Sequence, residues 1–387
     1  MMKLTPIAAS IILLSALWPR AVHAAADEVA NLRAELEVLK SDYNSRIQAL
    51  ESRIKQLEGA APTPAPAVSA KSGNAAAFNP SISMILAGNY ASLSQDHATY
   101  RIAGFIPPAA GEGPGLRSFN LGESELTVAS NVDPYFYASV TAAIHGDNSI
   151  DIEEAFFKTL ALNNGFTIKG GRFFSGIGYL NEIHSHNWDF VDQPLIYQAF
   201  LGGQLGQDGA QLRWLAPTDV FIEFGAEAGS GRGFPGTQRN SNSLASDALF
   251  GHLGGDIGDS TSWRVGVSWL DDRAANRPYA DVDQLGTPVV NEFSGSSRTW
   301  IADATLKWAP HGDPTQHLFK LQGEYMRRSE SGQLAFDVTG QNLVNAYGSS
   351  QSGWYLQGVY GFMPRWRAGL RVDSLKSGTA RIGLVSS

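Results

Sequence analysis

The segment Trp300-Ile301-Ala302-Asp303-Ala304-Thr305-Leu306-Lys307-Trp308 reads as one strand with two unlike faces. Successive side chains of a strand point to opposite sides, so Trp300, Ala302, Ala304, Leu306 and Trp308 share one face while Asp303, Thr305 and Lys307 share the other. The same alternation recurs along the chain. Trp263, Val265, Val267 and Trp269 oppose Arg264 and Ser268; Val220, Ile222, Phe224 and Ala226 oppose Glu223 and Glu227; Trp366, Ala368, Leu370 and Val372 oppose Arg367, Arg371 and Asp373. An apolar face outward and a charged face inward predict an all-β, antiparallel transmembrane barrel around a wet lumen.

Thirteen such runs follow Phe78, at about 81–90, 118–130, 134–144, 150–160, 165–173, 209–216, 220–228, 247–256, 262–270, 298–308, 316–327, 353–361 and 365–373. Short links, such as Pro217-Thr218-Asp219 and Met363-Pro364, alternate with long ones at 91–117, 174–208, 229–246, 271–297 and 328–352. Alternation of short inner turns and long outer loops is the habit of bacterial outer-membrane barrels. The pairs Trp263/Trp269 and Trp300/Trp308 fit two interfacial belts. Single-chain barrels close with an even strand number, so a C-terminally truncated sequence is expected, with sixteen strands in the intact protein or, alternatively, fourteen.

Residues 1–24 read as a signal peptide: Lys3, an apolar run from Pro6 to Leu17, and Val22-His23-Ala24 before the cleavage site. From 25 to 58 apolar residues recur every three or four positions (Val29, Leu32, Leu36, Leu39, Tyr43, Ile47, Leu50, Ile54, Leu57), predicting a periplasmic coiled-coil helix that joins chains. A Pro/Ala-rich linker spans 59–77, and the barrel runs from 78 to 387. The 387 residues include 41 Gly, 19 Phe, 12 Tyr and 9 Trp, with 17% charged, as girdled barrels require. Cysteine is absent, so a closed hydrogen-bonded sheet must supply the stability that disulfides give other exported proteins. A net charge of -8 without a basic patch excludes nucleic acid as a partner. The expected partners are outer-membrane lipid, two further copies in a homotrimer held by barrel and coiled coil, and small polar solutes.

The loop after the fifth strand carries the chemistry. Asn181, Glu182, His184, His186, Asp189 and Asp192 would form the pore constriction, and Glu125, Lys169, Arg172, Arg213, Glu223, Arg264, Lys307 and Arg371 the lumen wall. The run Phe166-Thr167-Ile168-Lys169-Gly170-Gly171-Arg172-Phe173-Phe174-Ser175-Gly176-Ile177-Gly178, with Val191-Asp192-Gln193-Pro194-Leu195 further on, resembles the phosphate-selective porins and their coiled-coil-bearing relatives. That resemblance implies a sixteen-strand barrel, a trimer, and a loop after strand five that folds inward and narrows the lumen. Two features depart from the family. Anion-selective members line the constriction with Lys and Arg, whereas 176–207 has neither. Gly178 to His186 also looks like a subgroup named after TonB-dependent receptors, yet the residues before the barrel are too few for a plug domain.

A general diffusion pore for small polar or charged solutes therefore reads better than a phosphate channel. A second reading is a metal- or ligand-binding receptor-like protein, with His184, His186 and Glu182 as ligands of a divalent metal; no other cofactor is expected. A third is a structural barrel. No enzyme is expected: Phe174-Ser175-Gly176 lacks the glycine pattern of a nucleophile elbow, and Gly229-Ser230-Gly231-Arg232-Gly233 lacks the Lys-Ser/Thr of a phosphate loop.

Overall fold

The computed structural model describes residues 80–94, 100–105, 116–146, 148–237, 242–283 and 285–383. The expected signal peptide, coiled coil and linker lie outside these residues.

The chain after residue 80 is antiparallel sheet. Its strands are β1 (Ser81–Ile85), β2 (Gly88–Ala91), β3 (Ser118–Leu121), β4 (Ser124–Asn131), β5 (Phe136–Ile144), β6 (Ile150–Thr159), β7 (Phe166–Phe174), β8 (Gly206–Leu215), β9 (Phe221–Gly229), β10 (Ser246–Ile257), β11 (Thr261–Val282), β12 (Pro288–Trp308), β13 (Leu318–Phe336), β14 (Leu343–Met363), β15 (Trp366–Lys376) and β16 (Arg381–Ile382). The main sheet runs β1-β4-β5 and onward in sequence order to β15, thirteen strands in one path, with β16 also pairing β14. β2 and β3 prolong the first hairpin past a break where Gly122 N–H donates to the Ala87 carbonyl at 3.0 Å. The thirteen sequence runs thus correspond to the thirteen strands of the path. Among the described residues β1 and β15 each have one neighbour in it, and no helix is long and apolar enough to cross a membrane.

The faces follow the alternation. Trp300 is 55% exposed and Leu370 73%, whereas the adjacent Thr299 and Ile301 are at 0% and 1%. Trp269 and Trp300 are register partners, and Trp263 and Trp308 lie at the opposite ends of the same pair of strands. At about 3.4 Å per residue Trp300 and Trp308 are about 27 Å apart along the strand. The usual tilt reduces that to about 21 Å, close to the roughly 25 Å apolar band of a membrane barrel.

Two expected long loops are corrected. Residues 271–297 and 328–352 are mostly strand, because β11 and β12 pair as far as Val282 and Pro288, and β13 and β14 as far as Phe336 and Leu343. Beyond the upper tryptophan level the outward face carries polar pairs such as Asp271 and Arg298, 3.3 Å apart. Backbone pairing continues there without the apolar alternation by which strands are recognised. The segment after β7 remains a loop and contains the one α-helix among the described residues, α1 (Leu195–Leu201).

Candidate functional site: a loop held on the inward face

The segment 175–205, between β7 and β8, folds onto the inward face of the sheet. β4 and β15, near opposite ends of the strand order, both reach it: Glu125 contacts His186 at 2.7 Å, and Arg371 contacts Asp192 at 2.8 Å. One half of the loop is apolar. Ile177, Leu180, Ile196, Tyr197, Phe200 and Leu205 are buried against inward Ala248, Leu270, Ile301, Met326 and Tyr355. Burying such side chains is worth about 1.5–3 kcal/mol each. That is the principal reason the segment leaves solvent.

A buried loop must also satisfy its backbone N–H groups. Carboxylates of the wall do so. Glu154 accepts from Phe174 N–H (3.2 Å), Glu227 from Gly176 N–H (2.8 Å) and Ser175 Oγ (2.6 Å), and Asp373 from Leu195 N–H (2.9 Å). Glu324 accepts from Tyr179 N–H (3.1 Å), Leu180 N–H (3.2 Å), Tyr197 OH (2.9 Å) and Tyr355 OH (2.8 Å). Gly178 between them has φ +65 and no room for a Cβ, which would meet the Tyr197 hydroxyl at 2.9 Å and the Glu324 carboxylate. Only glycine adopts this conformation without strain.

The sequence-derived residues sort as follows. Asn181 does not line open space: it is wholly buried and staples the loop's neck, donating to the Ser175 (2.8 Å) and Leu205 (3.1 Å) carbonyls and accepting from Leu205 N–H (2.8 Å). A side-chain amide has the donors and acceptor to close a chain reversal on its own. Glu182 pairs with Arg213, with Lys169 at 3.9 Å. Asp189 binds Lys320 (2.9 Å) and Arg367 (3.0 Å), and Asp192 binds Arg371. Arg264 donates to the Gly178 carbonyl at 3.1 Å and lies over the Tyr179 ring. Glu223 holds His252 at 2.8 Å. Lys307, with Asp189, Asp256, Asp259 and Lys320, lines a cavity of about 710 Å³ on the side of the short turns. Arg172 is not in the lumen wall. It stands three residues from inward Lys169, so a regular strand turns it outward, where it pairs with Asp208 at 2.7 Å. Lys320, Glu324, Glu227 and Arg367 were missed as loop contacts; nothing local in their strands distinguishes them from other inward polar residues.

Around His184 the expected ligand set changes. Glu182 turns to Arg213 and leaves it. His184 and His186 stack, 5.8 Å between ring centres, because the turn Ser185–Asn187 carries both rings to the same side. His184 Nε2 is 3.1 Å from Glu154, and Nδ1 is 3.1 Å from Glu125 and 3.4 Å from Glu153, neither of the latter aligned as a hydrogen bond. Burial opposes a charge on this ring, but the carboxylates of Glu125, Glu153 and Glu154 outweigh it and push the imidazole up to about 12. Ser185 donates to Glu123 beside them.

No family model matches the chain. An uncharacterized protein of Aquifex aeolicus (strain VF5) is 29% identical over 327 residues, which are 79% of this chain and 66% of that protein. This chain thus spans 66% of its relative's length. Three solved structures are similar at low identity. A loop L8 deletion mutant of the Vibrio cholerae outer membrane protein OmpT is 9% identical with a TM-score of 0.41, covering 79% of this chain and 96% of that one. Pseudomonas putida OprB at high pH is 10% identical with a TM-score of 0.39, covering 76% and 88%. Salmonella typhi OmpF in complex with daunomycin is 8% identical with a TM-score of 0.28, covering 77% and 97%.

Proposed function

We propose that the protein is an outer-membrane channel through which small polar or charged solutes diffuse passively, and that the segment 175–205 sets the passage. The observation that carries the reading is the thirteen-strand antiparallel path itself, apolar outward and charged inward, with a long loop laid on its charged face. An apolar outward band with two tryptophan levels suits a bilayer, where every backbone group must be paired within the sheet. A charged inward face has no use in a dry core and suits a water-filled one. The proposal includes assembly as a homotrimer, the coiled coil of 25–58 standing on the periplasmic side, and no catalysis. Its departures from the phosphate-selective pattern make phosphate an unsuitable specific substrate.

Planar bilayers test the reading. Folded full-length protein is expected to give stepwise ion conductance; folded protein that inserts and stays silent would sink it.

A further inference from the structure

We propose that Glu125, Glu153 and His184 form a binding site for a divalent transition-metal ion on the inward face of the sheet. The site goes beyond the channel reading and does not depend on it.

The strand β6 is built for it. Thr141 pairs Glu154 and Ala142 pairs Ile152, so Glu153 is the extra residue of a β-bulge. On a regular strand Glu153 and Glu154 would face opposite sides, and Glu153 would stand on the apolar outward face with Ala155 and Phe157. The bulge re-aims it inward, next to its neighbour. β4 brings Glu125 alongside, and the loop after β7 carries His184 down onto both. One carboxylate oxygen from each glutamate and Nδ1 of His184 then lie within 4.8 Å of one another, Nδ1 being 3.1 Å from Glu125 and 3.4 Å from Glu153. Two donors bound tetrahedrally to zinc stand about 3.4 Å apart.

Two atoms of this group point to a ligand independently of the spacing. His184 Nδ1 and Glu153 Oε2 are wholly buried, face each other, and make no hydrogen bond. Buried polar atoms are costly to leave so unless a third group bridges them. The remaining atoms of the same residues are occupied as they are around a bound metal: the second nitrogen of His184 meets the Glu154 carboxylate at 3.1 Å, and the second oxygen of Glu125 meets His186 at 2.7 Å. Glu123, Glu125, Glu153 and Glu154 outnumber the imidazoles of His145, His184 and His186 that contact them. One imidazole with two carboxylates suits zinc or manganese, whereas calcium asks for six or more oxygens.

The test is calorimetric titration of zinc chloride into full-length protein, folded in detergent and stripped with chelator, with folding checked by heat-dependent gel mobility. Wild type is expected to bind one zinc ion per chain. Glu153→Gln and His184→Gln are expected to lose affinity by about a hundredfold or more, since even supporting residues cost 10–100-fold. Glu182→Gln is expected to bind as wild type does. The proposal is overturned by folded wild type that shows no saturable binding, by Glu153→Gln of wild-type affinity, or by a loss in Glu182→Gln matching that in Glu153→Gln.

Discussion

The ring of His184 sits among Glu125, Glu153 and Glu154, and its pKa in the folded chain is raised from the ordinary 6.5 to about 12. A raised folded-state pKa means the folded chain holds the proton more tightly than the unfolded one. Its stabilisation is therefore complete below about pH 6.5 and declines as pH climbs toward 12. In metal-free protein, the melting-temperature gap between wild type and His184→Gln should shrink steadily from pH 6 to pH 10. A gap that widens over that range would contradict the assignment. Two other residues show what local reading can and cannot reach. Arg172 was misplaced although period two already forbids it and Lys169 from sharing a face. Asn181, by contrast, offers no sequence signal that separates a staple from a pore lining, because its partners are the backbone carbonyls of Ser175 and Leu205.

At the level of elements, the loop of 175–205 has two halves with different tasks. The apolar run Leu195-Ile196-Tyr197-Gln198-Ala199-Phe200-Leu201 forms α1 and packs into the wall, a role that a charge-free stretch within an otherwise polar loop could have announced. The polar half is held by ion pairs and by carboxylates that accept from its backbone. Glu324 is the busiest of these. Replacing it by Ala strands two tyrosine hydroxyls and the N–H groups of Tyr179 and Leu180, at about 3 kcal/mol. Glu324→Ala should lower the unfolding midpoint and make single-channel currents noisier and larger, while Glu324→Gln, which keeps an acceptor, should do less. Currents indistinguishable from wild type in a folded Glu324→Ala would remove the loop from the passage. The long hairpins β11–β12 and β13–β14 were legible only up to the tryptophan level, for above it pairing needs no apolar side chain.

Over the whole molecule, wall cations and loop carboxylates largely cancel: Arg213 with Glu182, Lys320 and Arg367 with Asp189, Arg371 with Asp192. On the proposed channel reading, such a lining is expected to give weak charge preference. Under a tenfold potassium chloride gradient its reversal potential should stay near zero, and Arg371→Glu should move it toward the cation side. A wild-type value close to the single-ion limit for either ion would refute this pairing as the basis of selectivity. The sequence by itself determined where the thirteen strands of the main path cross the apolar band and which face of each is apolar there, because a sheet between two different solvents imposes a period of two within that band. Only the tertiary structure decided what the inward charges do. Their partners stand as far as 179 positions away, as Asp192 does from Arg371, and only folding of the loop onto the sheet brings such groups within hydrogen-bond reach.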